Sequence, residues 1–148
     1  MDLNRGNHSV YLLNYHLIIV VKYRRKCITP EIREFLVKES ARLLEEKWEG
    51  SLIEGNTDLD HIHLLVSLNP KYAISPPVGS LKNTLARSAR KKYGNHIKKY
   101  LWKEAFWAPS YYITTVGDLS VERVQEYIES QGRPRRKYTR KGNSSPAQ

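Results

Sequence analysis

"SLIEGNTDLDHIHLLVSL" (residues 51–68) predicts two neighbouring β-strands and the turn that joins them. Residues 51–57 and 61–68 are short segments bounded by polar residues, as is typical of strands. Only Asp58, Leu59 and Asp60 separate them. Strands joined by so short a connection pair in an antiparallel hairpin. The rest of the fold is predicted outward from this hairpin.

Two helices and two more strands flank the hairpin, and a third helix follows. The predicted elements are a strand at 14–23, a helix that begins at Pro30 after the N-cap Thr29 and ends at Gly50, a helix at 78–94 with Val78, Leu81, Leu85 and Ala89 facing inward, a strand at 110–117, and a helix at 119–132 with Ser120 as its N-cap. The order β-α-β-β-α-β predicts an α+β, ferredoxin-like fold, in which two helices cover one face of an antiparallel sheet. The third helix is additional to this unit and must bury its apolar side elsewhere.

The composition favours one folded domain with a polyanionic partner. The chain has 148 residues, enough for a single core, and a net charge of +10, which indicates nucleic acid before other partners. Residues 133–148 carry six basic residues, no acidic residue and no apolar periodicity, so we expect a folded domain at 1–132 and a disordered basic tail. The single cysteine, Cys27, and the lack of a long apolar run predict a cytoplasmic protein that does not span a membrane.

The third predicted strand carries two histidines inside an apolar run. His61 and His63 lie at positions i and i+2, so their side chains share one face of the strand while Ile62 points to the other. Two imidazoles in this arrangement can reach one metal ion. The alternative is that they are polar residues at a strand edge, satisfied by the backbone or by water. The following "LLVSL" favours the metal, because a half-buried histidine pair needs a partner.

The third helix offers a candidate nucleophile. Tyr127 and Gln131 are four residues apart and share one helical face, while the apolar side is formed by Val121, Val124 and Ile128. The alternative is a surface tyrosine on an amphipathic helix. Tyr111 and Tyr112 are rival nucleophiles, but both lie on a predicted strand, where packing is the more usual role.

Taken together, these segments resemble a known family. "YHLIIVVKYRRKCIT", "DLDHIHLLVSLNPKYAIS", "LWKEAFWAPSYYITTVG" and "VQEYIESQ" are similar to the single-tyrosine HUH transposases, the TnpA enzymes of small prokaryotic insertion sequences. "HUH" denotes two histidines around a large apolar residue, which His61-Ile62-His63 matches. The resemblance covers residues 8–132 and implies that the folded domain at 1–132 is the catalytic domain, whereas the tail after Gly132 carries no family motif.

The resemblance implies a role for each matching residue. His61, His63 and Gln131 would bind a divalent metal ion, Mg²⁺ or Mn²⁺, and Tyr127 would be the nucleophile. The family cleaves single-stranded DNA beside hairpins near the element's ends, forms a 5′-phosphotyrosine and rejoins the strands. It acts as a homodimer in which the tyrosine helix of one subunit completes the histidine site of the other. A nucleotide cofactor is not expected, since the chain has no glycine-rich phosphate loop.

The residues that contact DNA are harder to predict. Basic candidates are Lys82, Arg87, Arg90 and Lys91 of the second helix and Arg133, Arg135 and Arg136 of the tail. Tyr100, Trp102, Phe106 and Trp107 lie among further lysines and suit base stacking, although core or interface packing is equally compatible with them. His8, His16 and His96 receive no role, and His16 is expected to be a packed, satisfied residue. A hairpin-binding protein without catalysis, and an HUH enzyme acting at replication origins or repeated palindromes, remain alternatives.

Overall fold

A computed structural model describes residues 3–6, 9–116 and 121–132. Its elements are β1 (Asn4–Arg5), β2 (Val10–Tyr11), β3 (Asn14–Val20), α1 (Pro30–Trp48), β4 (Ser51–Asp58), β5 (His61–Ser67), α2 (Ser75–Leu101), β6 (Tyr112–Thr115) and α3 (Val121–Ser130), with a 3₁₀ turn at Lys22–Arg24. The main sheet has four antiparallel strands in the order β4-β5-β3-β6. This confirms the α+β, ferredoxin-like prediction. The small β1–β2 hairpin was not predicted.

The central hairpin is confirmed, with a tighter turn than predicted. β4 extends to Asp58, which pairs with His61, so Leu59 and Asp60 alone form the turn. At the other end of the hairpin, a side chain at Gly50 would meet the carbonyl oxygen of Ser67 at 2.4 Å. Glycine therefore allows α1 to end directly against β5.

The first helix follows its sequence signals closely. Thr29 is the N-cap, and its Oγ1 accepts a hydrogen bond from the backbone N–H of Ile32 at 3.2 Å. The helix ends at Trp48, and Glu49 rather than Gly50 takes the left-handed conformation, with φ of 52°. The N–H of Gly50 then donates to the carbonyl of Leu44, which satisfies one of the last helical acceptors.

The second helix is longer than predicted. It was expected at 78–94, and α2 runs over Ser75–Leu101. At its start, proline is tolerated in the first turn, where no intrahelical donor is needed. At its end, Gly94 does not stop the helix, which bends at Tyr93 (φ −123°, ψ 28°) and continues. Ile97 and Leu101 are fully buried beyond that bend, and the apolar area they remove from water outweighs the weak helix propensity of glycine.

The main core lies between the sheet and the two long helices. Val78, Leu81, Leu85 and Ala89 are buried there, as predicted, together with alternate residues of β3 and β5 such as Leu17, Ile19, Ile62 and Leu64. Among the described residues, no helix has the length and apolar content needed to cross a membrane.

The third helix packs on the opposite face of the sheet. Ile128 of α3 forms a small, separate apolar cluster with Ile18, Val20 and Ala108. The side chains of Val121 and Val124, the N-cap Ser120 and the tail 133–148 lie outside the described residues, so those predictions are not tested. The face of the sheet opposite the two long helices is therefore the place where Ile128 of the additional helix is buried.

Candidate active site

The two histidines of β5 share the face of the sheet on which α3 packs. His61 pairs with Val20 and His63 with Ile18, and directly opposed residues of antiparallel strands point to the same side. Ile18 and Val20 are the residues that contact α3 through Ile128. The strand alternation predicted from the sequence is confirmed, and both imidazoles are half-buried.

A buried carboxylate orients His61. Oδ1 of Asp60 lies 2.8 Å from Nδ1 of His61, and Oδ2 accepts a hydrogen bond from Nε of Arg24 at 3.1 Å. Asp60 is only 5% exposed, and an ionised carboxylate only accepts, so Nδ1 of His61 carries the proton. In the neutral imidazole this tautomer leaves the lone pair on Nε2. A carboxylate behind a histidine in this way is the usual support for a metal ligand.

A third histidine joins the pair. Nδ1 of His16 and Nε2 of His63 are 3.0 Å apart, so one ring nitrogen donates a hydrogen bond to the other. Burial lowers the pKa of His63, and the nearby His16 and His61 lower it further. The lowered pKa favours the neutral form of His63, which is the form that binds metals. His16 is a satisfied residue, as expected, and the residue that satisfies it is His63 of the candidate site.

The candidate nucleophile is anchored by two neighbours. Oη of Tyr127 lies 2.9 Å from Oγ of Ser110, and its ring packs against that of Tyr112 with centroids 5.6 Å apart. Burial raises the pKa of Tyr127, while the hydrogen bond to Ser110 lowers it. Of the rival tyrosines, Tyr111 packs against the main core and Tyr112 lies against Tyr127.

Gln131 lies in the turn directly after α3. Its backbone N–H donates to the carbonyl of Ile128 at 3.1 Å, and its Nε2 donates to Oγ of Ser130 at 3.1 Å. Within the part of the chain that the structure describes, the side-chain hydrogen bond of Gln131 uses Nε2 and not the amide oxygen. The next residue, Gly132, approaches Arg24 so closely that an added Cβ would lie 2.6 Å from Cδ of the arginine. Arg24 therefore touches both the end of α3 and Asp60.

The chemistry of these donors is compatible with a divalent cation. Two imidazole nitrogens and one amide oxygen form a mixed donor set, and an ion that prefers oxygen, such as Mg²⁺ or Mn²⁺, would complete its shell with water and phosphate oxygens. The hydrogen bond between Asp60 and His61 orients one of the imidazoles. A second possible donor set is present beside them, since ligand atoms of Asp58, Asp60 and His61 all lie within 4.8 Å of one another. Asp60 already bonds Arg24 and His61, which favours an orienting role for it over direct coordination.

The predicted DNA-contacting residues divide into two groups. Nζ of Lys82 and the guanidinium of Arg90 donate to backbone carbonyls, so both groups have partners within the protein, and their predicted DNA contacts stay predictions. Arg87 and Lys91 are exposed on α2 and remain available. The tail residues Arg133, Arg135 and Arg136 lie outside the described residues.

The aromatic residues near the end of α2 divide in the same way. Phe106 and Trp107 are buried in the main core, whereas Tyr100 and Trp102 are exposed, Trp102 by 64%. His96 hydrogen-bonds the carbonyl oxygen of Cys27 at 3.0 Å, away from the site, and His8 lies outside the described residues.

Sequence reasoning missed four residues that surround the candidate site: His16, Arg24, Asp60 and Ser110. Asp60 could have been predicted, because a carboxylate that directly precedes His61 in the sequence is well placed to orient its imidazole. His16 and Ser110 gave no such signal, because each meets its partner only through the register of the sheet or the packing of α3. Arg24 contacts Asp60 from 36 residues away.

Comparison with known proteins supports one family. The model of the family described as "Transposase IS200 like" matches residues 9–131. The ISDra2 transposase TnpA of Deinococcus radiodurans is 37% identical over 131 residues, which is 88% of this chain and 92% of that protein. The transposase for insertion sequence element IS200 of Salmonella typhimurium is 31% identical over 125 residues, 84% of this chain and 80% of that protein.

Solved structures agree with the sequence comparisons. A crystal structure from Deinococcus radiodurans R1, of a protein assigned as a transposase, superposes with a TM-score of 0.78 at 30% identity, covering 86% of this chain and 97% of that one. A REP-associated tyrosine transposase bound to a REP hairpin shares the fold, with a TM-score of 0.50 at 8% identity over 84% of this chain and 69% of that one. The matched family, the two curated relatives and the fold all coincide over the region that contains the histidine hairpin and the tyrosine helix, and the chain therefore belongs to the IS200-like transposases.

Proposed function

We propose that this transposase cleaves and rejoins single-stranded DNA at the ends of an insertion sequence, with Tyr127 as the nucleophile. His61, His63 and Gln131 would hold a divalent ion beside the scissile phosphate. The observation that carries this proposal is the packing of α3 on the histidine face of the sheet, through Ile128, Ile18 and Val20. That packing gives Tyr127 and the two histidines a common side of the molecule.

The chemistry follows from the residues of the site. A phenol is a poor nucleophile at neutral pH, and a phosphodiester is an anion that resists attack. A bound divalent ion would neutralise charge on the phosphate oxygens and orient the phosphate for in-line attack. Oη of Tyr127 then forms a bond to phosphorus as the bond from phosphorus to the 3′-oxygen breaks. The phenolic proton leaves to water, and the 3′-oxygen gains a proton and departs as a hydroxyl.

The product explains why no nucleotide cofactor is needed. The phosphotyrosine ester retains the energy of the broken phosphodiester, so a free 3′-hydroxyl can attack it and restore a DNA strand. Asp60 keeps the His61 imidazole in one tautomer and orientation through both halves of the reaction, because Arg24 balances its charge. The ligand set proposed here is neutral, so the ion would keep its full positive charge for the phosphate.

Hairpin DNA is the proposed target. A relative in fold is a REP-associated transposase bound to a REP hairpin, and the net charge of +10 on this chain suits a nucleic acid. Arg87 and Lys91, exposed and one helical turn apart on α2, are the described basic residues best placed to contact phosphates.

We also propose a homodimer in which α3 of one subunit serves the histidine site of the other. In the single chain, the described side chains of α3 pack on its own sheet through a small cluster in which Ile128 meets Ile18, Val20 and Ala108. The same small set of contacts can form on a partner's sheet, so an exchange of helices costs little apolar burial. Two equivalent sites related by a two-fold axis would result.

The proposed chemistry can be tested with labelled single strands copied from the DNA that flanks the gene. With Mg²⁺ or Mn²⁺, the parental protein should form a covalent DNA adduct that survives denaturing electrophoresis, and Tyr127→Phe should form none. Tyr111→Phe is a matched control and should keep the parental rate. His61→Ala and His63→Ala should lose cleavage while keeping hairpin affinity within about threefold, because binding rests on contacts elsewhere.

The outcomes separate the candidate functions. Adduct formation by Tyr127→Phe at the parental rate would contradict the nucleophile. Hairpin binding without any cleavage by the parental protein would favour the non-catalytic alternative. The dimer is tested by mixing His63→Ala with Tyr127→Phe, each inactive alone. Shared sites leave one intact composite site in a mixed dimer and restore activity, whereas failure in dimers proven to have exchanged subunits would contradict the trans arrangement.

A further inference from the structure

A hydroxyl group lies against the reacting oxygen of the proposed nucleophile. Oγ of Ser110 is 2.9 Å from Oη of Tyr127, although 17 residues separate them in the chain. Ser110 precedes β6, and Tyr127 lies on α3, so the contact joins the sheet to the helix. Ser110 lies within the segment LWKEAFWAPSYYITTVG, to which the family resemblance gave no role for the serine.

The backbone that carries Ser110 is fixed to the central strand of the sheet. The N–H of Ala108 donates to the carbonyl of Val20 at 2.8 Å, and the N–H of Lys22 donates to the carbonyl of Phe106 at 2.9 Å. Trp107 pairs with Val21 in an isolated β-bridge between these bonds. The segment before Ser110 is therefore an extension of the sheet and cannot move independently of it.

A lysine from α2 fixes the last part of this segment. Nζ of Lys82 lies 2.9, 3.2 and 3.3 Å from the carbonyl oxygens of Ala108, Pro109 and Ser110. An ammonium has three N–H donors, and these three acceptors match them. The indole N–H of Trp107 donates to the carbonyl of Lys82 at 3.0 Å and ties the segment to α2 from the other side.

The burial of Lys82 indicates that it serves this segment. It is half-buried, and desolvation lowers the pKa of its ammonium group. A buried charge is retained only where it is well satisfied, and the described contacts of this ammonium are the three consecutive carbonyls. Its role in the structure is to set the path of the backbone through Ser110.

We propose that Ser110 is a catalytic residue that holds the phenolic oxygen of Tyr127, and that Lys82 is its positioning residue. This inference rests on the proposed function of Tyr127. Before attack, the hydroxyl of Ser110 accepts the phenolic hydrogen bond and directs Oη. As the phenolic proton leaves to water and the bond from Oη to phosphorus forms, the Ser110 hydroxyl turns and donates to the oxygen that carries negative charge.

The same contact serves the rejoining step. There a 3′-hydroxyl loses its proton to water and attacks phosphorus, and the bond from phosphorus to Oη of Tyr127 breaks. The departing phenolate receives the hydrogen bond from Ser110 and then takes a proton from water. Ser110 neither gains nor loses a proton in either direction. Its hydroxyl stabilises the phenolate of Tyr127, which attacks phosphorus in the cleavage step and departs from phosphorus in the rejoining step.

The proposal is tested by single-turnover cleavage as a function of pH, with Ser110→Ala, Ser110→Thr and the exposed control Ser75→Ala. Loss of a hydrogen bond to a charged oxygen should slow Ser110→Ala by about 10- to 100-fold. The rising limb of its pH profile should also shift to higher pH, because the phenol becomes harder to ionise. Ser110→Thr keeps the hydroxyl and should recover most of the rate, and Ser75→Ala should match the parental protein.

A second readout does not depend on activity. In protein labelled with ¹³Cζ-tyrosine, the resonance that disappears in Tyr127→Phe reports Tyr127, and its titration midpoint should rise in Ser110→Ala. Lys82→Met should reproduce both effects, and combining it with Ser110→Ala should add little, since both act through one hydroxyl. If Lys82→Met does not fold, Lys82→Gln keeps two N–H donors and should show a weaker form of the same shift.

The outcomes separate this inference from the proposed function. Cleavage by Tyr127→Phe would overturn the nucleophile and with it this inference. A parental rate and an unshifted Tyr127 midpoint in Ser110→Ala, beside an inactive Tyr127→Phe, would overturn the role of Ser110 alone. A Ser110→Ala protein that is slow but has an unshifted midpoint would also contradict it, since a general structural defect gives that result.

Discussion

Replacing Ile128 with alanine should free α3 from the sheet while the rest of the domain stays folded. Ile128 is 6% exposed and contacts the sheet through Ile18, Val20 and Ala108, a cluster separate from the main core. Removing its buried methyl and methylene groups costs about 2 to 3 kcal/mol, which shifts the docking equilibrium roughly 30- to 150-fold. Because this cluster is separate from the main core, the loss should be local and not global.

Ile32→Ala is the matched control for this prediction. Ile32 is 1% exposed and belongs to the main core beneath α1, so the same truncation there destabilises the whole domain. A cost of about 3 kcal/mol should lower Tm by on the order of 10 °C in a chain of this length. Ile128→Ala should instead keep Tm within about 3 °C of the parental value, because the main core is untouched.

Two measurements distinguish the variants. Hydrogen exchange should show faster exchange of the α3 amides in Ile128→Ala, with α1 and α2 as protected as in the parental protein. Cleavage by Ile128→Ala should fall by at least about tenfold, since Tyr127 is positioned only when α3 is docked. An Ile128→Ala protein that melts as low as Ile32→Ala, or that cleaves at the parental rate, would refute the separate docking of the helix.

Three further predictions concern the charge of the tail, the close packing at Gly132 and the burial of Cys27. Deleting 133–148 should weaken DNA binding and flatten its dependence on salt, and an unchanged slope in affinity measurements would show that the tail does not touch DNA. Gly132→Ala should slow cleavage about 3- to 10-fold in rate assays, because the added Cβ displaces Arg24. The control Gly79→Ala has open space around its Cβ, so it should keep the parental rate and gain about 0.5 to 1 kcal/mol of stability in urea unfolding. Burial raises the pKa of Cys27 to about 11 from 9.0, so the native state favours the thiol; its contribution to stability is complete below pH 9 and is lost as the pH rises towards 11. Urea unfolding should show this loss of about 2 to 3 kcal/mol between pH 8 and pH 12 in the parental protein and its absence in Cys27→Val.

Local sequence signals predicted the fold, because its elements are joined by short, well-marked connections. The hairpin follows from a turn between two strands, and α1 from Thr29 and Pro30 at its start. The end of α2 could not be predicted in this way. Glycine is a common residue at helix ends, so Gly94 locally predicts a stop. The helix continues because Ile97 beyond it is buried, and that burial depends on the position of the sheet. Tertiary burial outweighs propensity at such a position.

The candidate site was predictable only in part, for a related reason. The alternation of β5 puts His61 and His63 on one face, whatever the neighbouring strands do. The contact between His63 and His16 requires the register of β3 against β5, which no local pattern fixes. Lys82 shows the same limit for charge, because a lysine that contacts phosphate and a lysine that donates to backbone carbonyls look identical in the sequence.

The division of the site between two packing units has a consequence for how it operates. His61, His63 and the supporting Asp60 lie on the hairpin that also builds the main core, so this part of the proposed metal site is as rigid as the fold itself, whereas Gln131, the third proposed ligand, directly follows α3. Tyr127 lies on α3, which is joined to the sheet by a small cluster and by the hydrogen bond to Ser110. The nucleophile can therefore be released or exchanged without disturbing the histidines. The proposed reaction needs this separation, because the tyrosine would carry a covalently bound strand between cleavage and rejoining while the histidines stay in place for the incoming 3′-hydroxyl.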